Sequence, residues 1–309
     1  MRSKPLEPQP KPQVEGSPLE PQPRPQVVEP EVRGSPLEPQ PRPQVEGSLL
    51  KTVHFQYQTE LVFSSPASDH QFLLRILPQS DSKQQIKNLS WRVDPEPDTI
   101  WQTVDGFGNN TLAGQIDAPH NHFRFGIEGT AEVSGEPYTA SDEPPRILLY
   151  PTELTRAHRG LTNFYNDISR SAPNDLLERI QHFSHAVHAR LHYERGATSN
   201  TTPAAKAFDL GKGVCQDYAQ ILLALLRLDK IPCRYVAGLA SGYGETHAWV
   251  EAWTGNRYCA ADPTRDKLAD EGYIAVSRGR DFADSSIERG VFTGLCRGTQ
   301  TINLSMEIS

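Results

Sequence analysis

Cysteine is scarce in this chain: four residues in 309. That is too few for a disulfide scaffold, and free thiols in a reducing cytosol are the default reading. Long apolar runs are missing too. The longest, Ile221 to Leu226, has six residues, whereas a membrane-spanning helix needs about 20, so no membrane partner is expected. No apolar stretch follows the opening Met1-Arg2-Ser3-Lys4-Pro5, so no secretory signal is expected and the location reads as cytoplasmic. Positive charge is not in excess: 31 Lys and Arg stand against 38 Asp and Glu, a net charge of −7. Binding nucleic acid through bulk charge is therefore excluded, because phosphate contacts need clustered cations.

Proline is abundant but unevenly placed. Thirteen of the 26 prolines precede residue 49. The phrase Pro-Leu-Glu-Pro-Gln-Pro-(Lys/Arg)-Pro-Gln-Val begins three times, at Pro5, Pro18 and Pro36. Proline fixes φ and removes a backbone donor, so neither helix nor sheet propagates there. With little apolar surface to offset the ordering entropy, residues 1–50 read as a disordered, partly polyproline-II tail. The default role is a spacer; the alternative is a ligand for a proline-recognising domain.

Residues 51–150 read as a β domain. Val53 to Phe63 alternates apolar and polar side chains, the period of a half-buried strand. Further short runs cover 72–77, 89–93, 123–127 and 130–133, and Asp105-Gly-Phe-Gly-Asn-Asn110 is dense in turn residues. Several short strands at this spacing predict an antiparallel sandwich. His120 and His122 flank Asn121 in an expected loop and are read as ordinary polar residues rather than metal ligands.

Residues 151–309 carry the chemistry. Leu176, Ile180, Phe183, Val187 and Leu191 recur at helical spacing, with Pro173 where helix-starting prolines sit. His185, His188 and His192 share another flank of that helix and are read as solvated rings, since a zinc site wants a fourth ligand and supporting partners. A second helix opens at Pro203 and runs through Leu210. Gly211-Lys-Gly213 then breaks the chain before an apolar helix whose first turn holds Cys215. Orphan N–H groups and the helix dipole favour a thiolate there. The dipole alone is worth roughly 0.3–1 kcal/mol, which is less than one unit on a thiol pKa of about 8.5, so an additional base is required.

The base is found on a hairpin. His247-Ala-Trp-Val-Glu-Ala-Trp253 alternates, Thr254-Gly-Asn-Arg257 turns, and Tyr258 to Asp262 returns. Pairing Trp253 with Tyr258 sets Asp262 opposite Trp249 and diagonal to His247, within reach of an imidazole–carboxylate contact. The predicted constellation is nucleophile Cys215, base His247 and orienting carboxylate Asp262.

These residues carry a family resemblance. Gly211-Lys-Gly-Val-Cys-Gln-Asp-Tyr-Ala219, Ile231 to Gly238, His247-Ala-Trp-Val-Glu251 and Asp262-Pro-Thr264 resemble the transglutaminase-like superfamily of papain-type thiol enzymes, and its bacterial cysteine-peptidase branch in particular. Residues 51–135 and the stretches 274–282 and 290–294 resemble the same branch. The resemblance implies an α+β fold, a papain-like transglutaminase core over 151–309 preceded by the β-sandwich domain, and it puts the three roles on Cys215, His247 and Asp262. It also implies acyl transfer or hydrolysis on a peptide or amide substrate through a Cys215 thioester, without metal or organic cofactor. The Cys215 backbone N–H is the expected oxyanion donor, with the Gln216 and Tyr193 side chains as auxiliary candidates. Arg265 stands where the branch often has Asn. Two rivals remain at this point: a non-catalytic binding module that keeps the fold, and a metal site built from Cys215, Cys233, Cys259 and His247, which lacks C-x-x-C spacing.

Overall fold

The alternating sequence after residue 50 becomes strand, but in longer pieces than its turn signals predict. A computed structural model describes residues 50–136, 143–242 and 244–309; the Pro-rich repeats, and the disorder expected of them, lie outside the described residues. β1 (Leu50–Leu77) is a single 28-residue strand. Ser64-Ser65-Pro66, which reads as a break, falls where pairing with the neighbouring strand slips between Val62 and Ala67. Proline lacks the N–H that a regular ladder needs, so it is tolerated at such an irregularity, and the strand bends rather than ends. Next come β2 (Gln84–Asp94), β3 (Thr99–Val104), β4 (Asn110–Ile116) and β5 (His120–Ser134). β5 merges two runs that the sequence separates at Glu128-Gly129.

A 3-10 turn at Arg146–Leu149 leads into α1 (Arg159–Ser169), α2 (Leu176–Arg190), β6 (His192–Tyr193), α3 (Ala204–Leu210), β7 (Lys212–Gly213) and α4 (Cys215–Leu228). Then follow β8 (Cys233–Ala240), β9 (His247–Trp253), β10 (Tyr258–Asp262), β11 (Lys267–Leu268), β12 (Tyr273–Gly279), α5 (Phe282–Ser285), β13 (Glu288–Thr293) and β14 (Gly298–Ile308). Pro173 does not open α2. Asp175 caps that helix, its carboxylate accepting from the Glu178 amide at 3.0 Å, since a side-chain acceptor satisfies an orphan donor that proline leaves alone.

The first sheet is antiparallel, in the order β2-β5-β1-β4-β3, and β13 and β14 also pair with β1. The first half of β1 lies between β5 and β14 and the second half between β4 and β13. Residues 288–308, grouped with the catalytic segment on sequence, thus complete the sheet of residues 50–134. Phe55, Phe72, Leu74, Leu112, Phe123 and Phe125 fill its core. The second sheet runs β11-β10-β9-β8-β12. The apolar face of α4 packs on β8 and β9, with Ile221, Leu222, Leu225, Tyr235 and Val250 in one core, and α2 packs on β10.

The two sheets meet at β12, an edge strand with open backbone groups. Side-chain amides close that edge. Gln84 donates to the Ala275 carbonyl and accepts from the Ala275 amide, both at 2.8 Å. Asn109 does the same for Arg278, both at 2.7 Å. Each amide stands in for a missing strand neighbour. Beneath this junction Glu251 is buried between Arg234 at 2.7 Å and Arg278 at 2.9 Å, and Arg278 also reaches Asp81 at 2.8 Å. Burial pushes the Glu251 pKa up, but the two guanidiniums outweigh it and hold the carboxyl at about 2. Its contribution to stability is therefore complete above the ordinary value of 4.5 and is lost as the pH falls through about 2. Glu251→Gln removes the charge that two half-buried guanidiniums share, leaving Arg278 with Asp81, and is expected to cost about 3 kcal/mol in urea unfolding; an unchanged midpoint would refute the network's importance.

Candidate active site

The turn at Gly211, with φ of +66°, ends α3 in the left-handed region that glycine tolerates. Two residues later Gly213 lies so close to Asp217 that a Cβ would overlap its carboxylate. Asp217 is buried and accepts from the Val214 amide at 2.8 Å and the Thr198 hydroxyl at 2.6 Å. It thereby caps α4 at the third position and fixes the first turn, where Cys215 is the first helical residue. Gly213→Ala is expected to displace that cap, lower the melting temperature by several degrees and slow alkylation of Cys215; equal values for both proteins would show that the turn tolerates a Cβ.

The Cys215 sulfur accepts backbone hydrogen bonds from the amides of Ala248 and Gln216. The first of these sets it against the start of β9, beside His247. Burial pushes the thiol up to about 12, the Ala248 amide pulls it down, and the Asp262 carboxylate pushes it up again. The helix dipole is too small to reverse this. Burial thus opposes the thiolate, and ionising this thiol calls for a base to receive its proton.

His247 opposes Gly238 on β8, and its side chain is fully buried. Its Nε2 lies 2.6 Å from Asp262 Oδ2. The carboxylate accepts, so Nε2 carries the ring proton and Nδ1 is the basic nitrogen. Asp262 is also fully buried. Oδ2 additionally accepts from the Tyr273 hydroxyl at 2.7 Å, and Oδ1 from the amides of Thr264 at 2.9 Å and Arg265 at 3.2 Å. Burial alone would raise its pKa; the hydrogen bonds from His247 and Tyr273 prevail and hold it below the usual carboxylate value. Trp249 stacks beside the imidazole, centroids 6.3 Å apart, and meets the Tyr273 ring edge-on at 5.3 Å. A Cβ at Gly238 would collide with that indole and with the Ile274 carbonyl, which is why the position facing His247 carries no side chain.

The hairpin register is as predicted: Tyr258 pairs with Trp253, and Cys259, Ala260 and Ala261 follow in step. The auxiliary candidates behave differently. The Gln216 side chain donates to the Asn200 carbonyl at 3.0 Å, which ties the loop after β6 to the first turn of α4. Tyr193 lies on β6 with its ring 6.4 Å from Tyr218. Tyr273 and Asp217 are site-building residues that sequence reasoning did not assign. An acid at the third helical position is a cap signal, whereas nothing near Tyr273 announces its contact with Asp262.

The other histidines and cysteines are scattered. His185 reaches Asp266 at 2.7 Å, and His188 the Pro263 carbonyl at 3.2 Å. His120 faces His70 at 3.2 Å, while His122 turns to Asp94 at 3.1 Å. Cys233 and Cys259 are buried on the flanking strands of the second sheet. Among the described residues no group of three or more His, Cys, Asp or Glu side chains is arranged to hold a metal, and no helix is long and apolar enough to cross a membrane.

A thiol at a helix start, with an imidazole–carboxylate pair on the adjoining sheet, marks a class of papain-type architecture, and comparison with known proteins supplies the family. Residues 162–263 match the transglutaminase-like superfamily, and residues 53–132 match the bacterial transglutaminase-like N-terminal region. Both matched stretches are thus transglutaminase-like. It is 27% identical over 283 residues to an uncharacterised protein of Mycobacterium leprae, covering 84% of this chain and 98% of the relative. An uncharacterised protein of Mycobacterium tuberculosis is 27% identical over 253 residues, 70% of this chain and 79% of the relative. A crystal structure from Cytophaga hutchinsonii, described provisionally as a cysteine protease, has the same fold. Its TM-score is 0.71 at 20% identity, over 84% of this chain and 91% of that one.

Proposed function

We propose that the protein is a thiol enzyme that transfers or hydrolyses acyl groups from peptide or amide substrates through a Cys215 thioester. The observation that carries this reading is the buried 2.6 Å contact between His247 Nε2 and Asp262, at the end of the strand whose next amide binds the Cys215 sulfur.

Each group has a step to perform. The basic His247 Nδ1 takes the thiol proton as the sulfur attacks the amide carbonyl. The carbonyl oxygen becomes an oxyanion beside the first-turn donors of α4, the Cys215 N–H among them. His247 then gives its proton to the departing amine, and the acyl group remains on sulfur. Asp262 does not take the proton; it holds the ring and stabilises the imidazolium that forms transiently. Water resolves the thioester to an acid, and a primary amine resolves it to a new amide. The four cysteines are free thiols, which fits a reducing, cytoplasmic setting.

Mass spectrometry of the intact protein after exposure to a peptide and amide library tests the reading. An adduct on Cys215 that decays with water or amine is expected. A library that binds but leaves no adduct would favour the rival, a binding module that keeps the fold.

A further inference from the structure

The loop after β6 and the loop between β8 and β9 both adjoin Cys215. The first is tied to the start of α4 by the Gln216–Asn200 and Thr198–Asp217 bonds. The second ends directly at His247. One ion pair joins the two loops: Arg195 to Glu245, 2.6 Å apart. Its two members are not equivalent. The Arg195 side chain is 71% exposed and the Glu245 side chain 37%. Glu245 is the inner member, and it stands two residues before His247 in the chain. The outer cation is held only by a surface pair, and such pairs open at little cost.

We propose that Glu245 is a specificity-determining residue that selects substrates carrying a basic side chain beside the amide to be attacked, with Arg195 occupying that place until substrate arrives. The idea rests on the thiol-enzyme reading for its substrate, but its physical content is a field: negative on the loop that leads into His247, partly masked by a cation that can be exchanged. A substrate ammonium or guanidinium replaces one exposed ion pair with another and brings its amide to the sulfur. An acidic side chain in the same place meets the Glu245 carboxylate and is turned away. Selection by repulsion is as effective as selection by attraction.

Methanethiosulfonate reagents read this field without turnover. They place a trimethylammonium, a sulfonate or a neutral methyl group on a thiol, and peptide mapping at pH 9 gives the rate at Cys215, with Cys296 as the reference. In Glu245→Gln the ratio of cationic to anionic labelling at Cys215 is expected to fall about three- to tenfold, from Coulomb's law at several ångströms in a partly wetted site. In Arg195→Ala it is expected to rise by a similar factor. Both shifts should shrink in 0.5 M salt. Arg195 is exposed, so its variant keeps the test intact where Glu245→Gln folds poorly. A ratio that moves less than twofold in Arg195→Ala, or moves the same way in both variants, overturns the proposal. So does a uniform change across all three reagents, which would report loosened structure only. Expected shifts at a Cys215 that forms no acyl adduct would instead defeat the thiol-enzyme reading and leave the charge selection standing.

Discussion

Cys215→Ala is expected to abolish the acyl adduct and to lower turnover of any substrate found in the library by at least about a thousandfold, the scale set by removing a nucleophile from a triad that acts as a unit. The fold should survive. Cys215 is partly exposed at the first position of α4, alanine is a good helix former, and the cap that defines this turn belongs to Asp217. A melting temperature within about two degrees of the parent, together with lost turnover, is the expected pair of readings. Full activity in this variant would end the assignment of the nucleophile. Cys233 and Cys259, buried within β8 and β10 away from His247, are not placed to substitute for it.

Asp262→Asn is the second large effect, and it separates charge from shape. The amide fits the same volume but offers a donor where His247 Nε2 and the Tyr273 hydroxyl both donate. The ring is then free to take the wrong tautomer, and a loss of about 10³–10⁴ in kcat/KM is expected, the size seen when a triad loses its orienting carboxylate. Stability falls as well. The folded pKa of Asp262 lies below its ordinary value, so its contribution is present above that ordinary value and disappears as the pH falls through the folded one. The unfolding midpoints of parent and variant should therefore differ most near neutrality and converge in acid. A difference that stays constant from pH 7 to pH 3 would show that the carboxylate's charge is not what stabilises the site.

The contact between His247 and Asp262 was legible because its parts are set by local rules. Thr254-Gly-Asn-Arg257 is a turn on composition alone, and a tight turn dictates the register of both strands beside it. The two strands therefore place Asp262 diagonally from His247 on spacing alone. Cys215 was legible from the glycine break and the apolar period that follows. Tyr273 was not, because β12 touches β8 and not β10; its hydroxyl reaches Asp262 across the face of the sheet, a relation fixed by strand order rather than by spacing. Arg265, which stands where Asn is usual, caps the same cluster: it donates to the Ser241 carbonyl and to the Tyr273 hydroxyl. The extent of β1 was also hidden, since a bend and a stop share the same residues, Ser64 to Pro66. The alternation of Ile302, Leu304 and Met306 is present in the sequence, but nothing there names β1 as the partner.

That pairing bears on how the molecule is made. The residues of β14 leave the ribosome after those of the whole second sheet, yet they cover eleven consecutive positions of β1, the first strand to emerge. While the thiol-bearing segment is being synthesised, one side of β1 waits with its amides and carbonyls bare, a template for any stray strand. Contacts that span more than 230 residues close last and slowly. The nascent chain thus passes through a stage with its chemistry in place and its platform unfinished, when chaperone protection matters most.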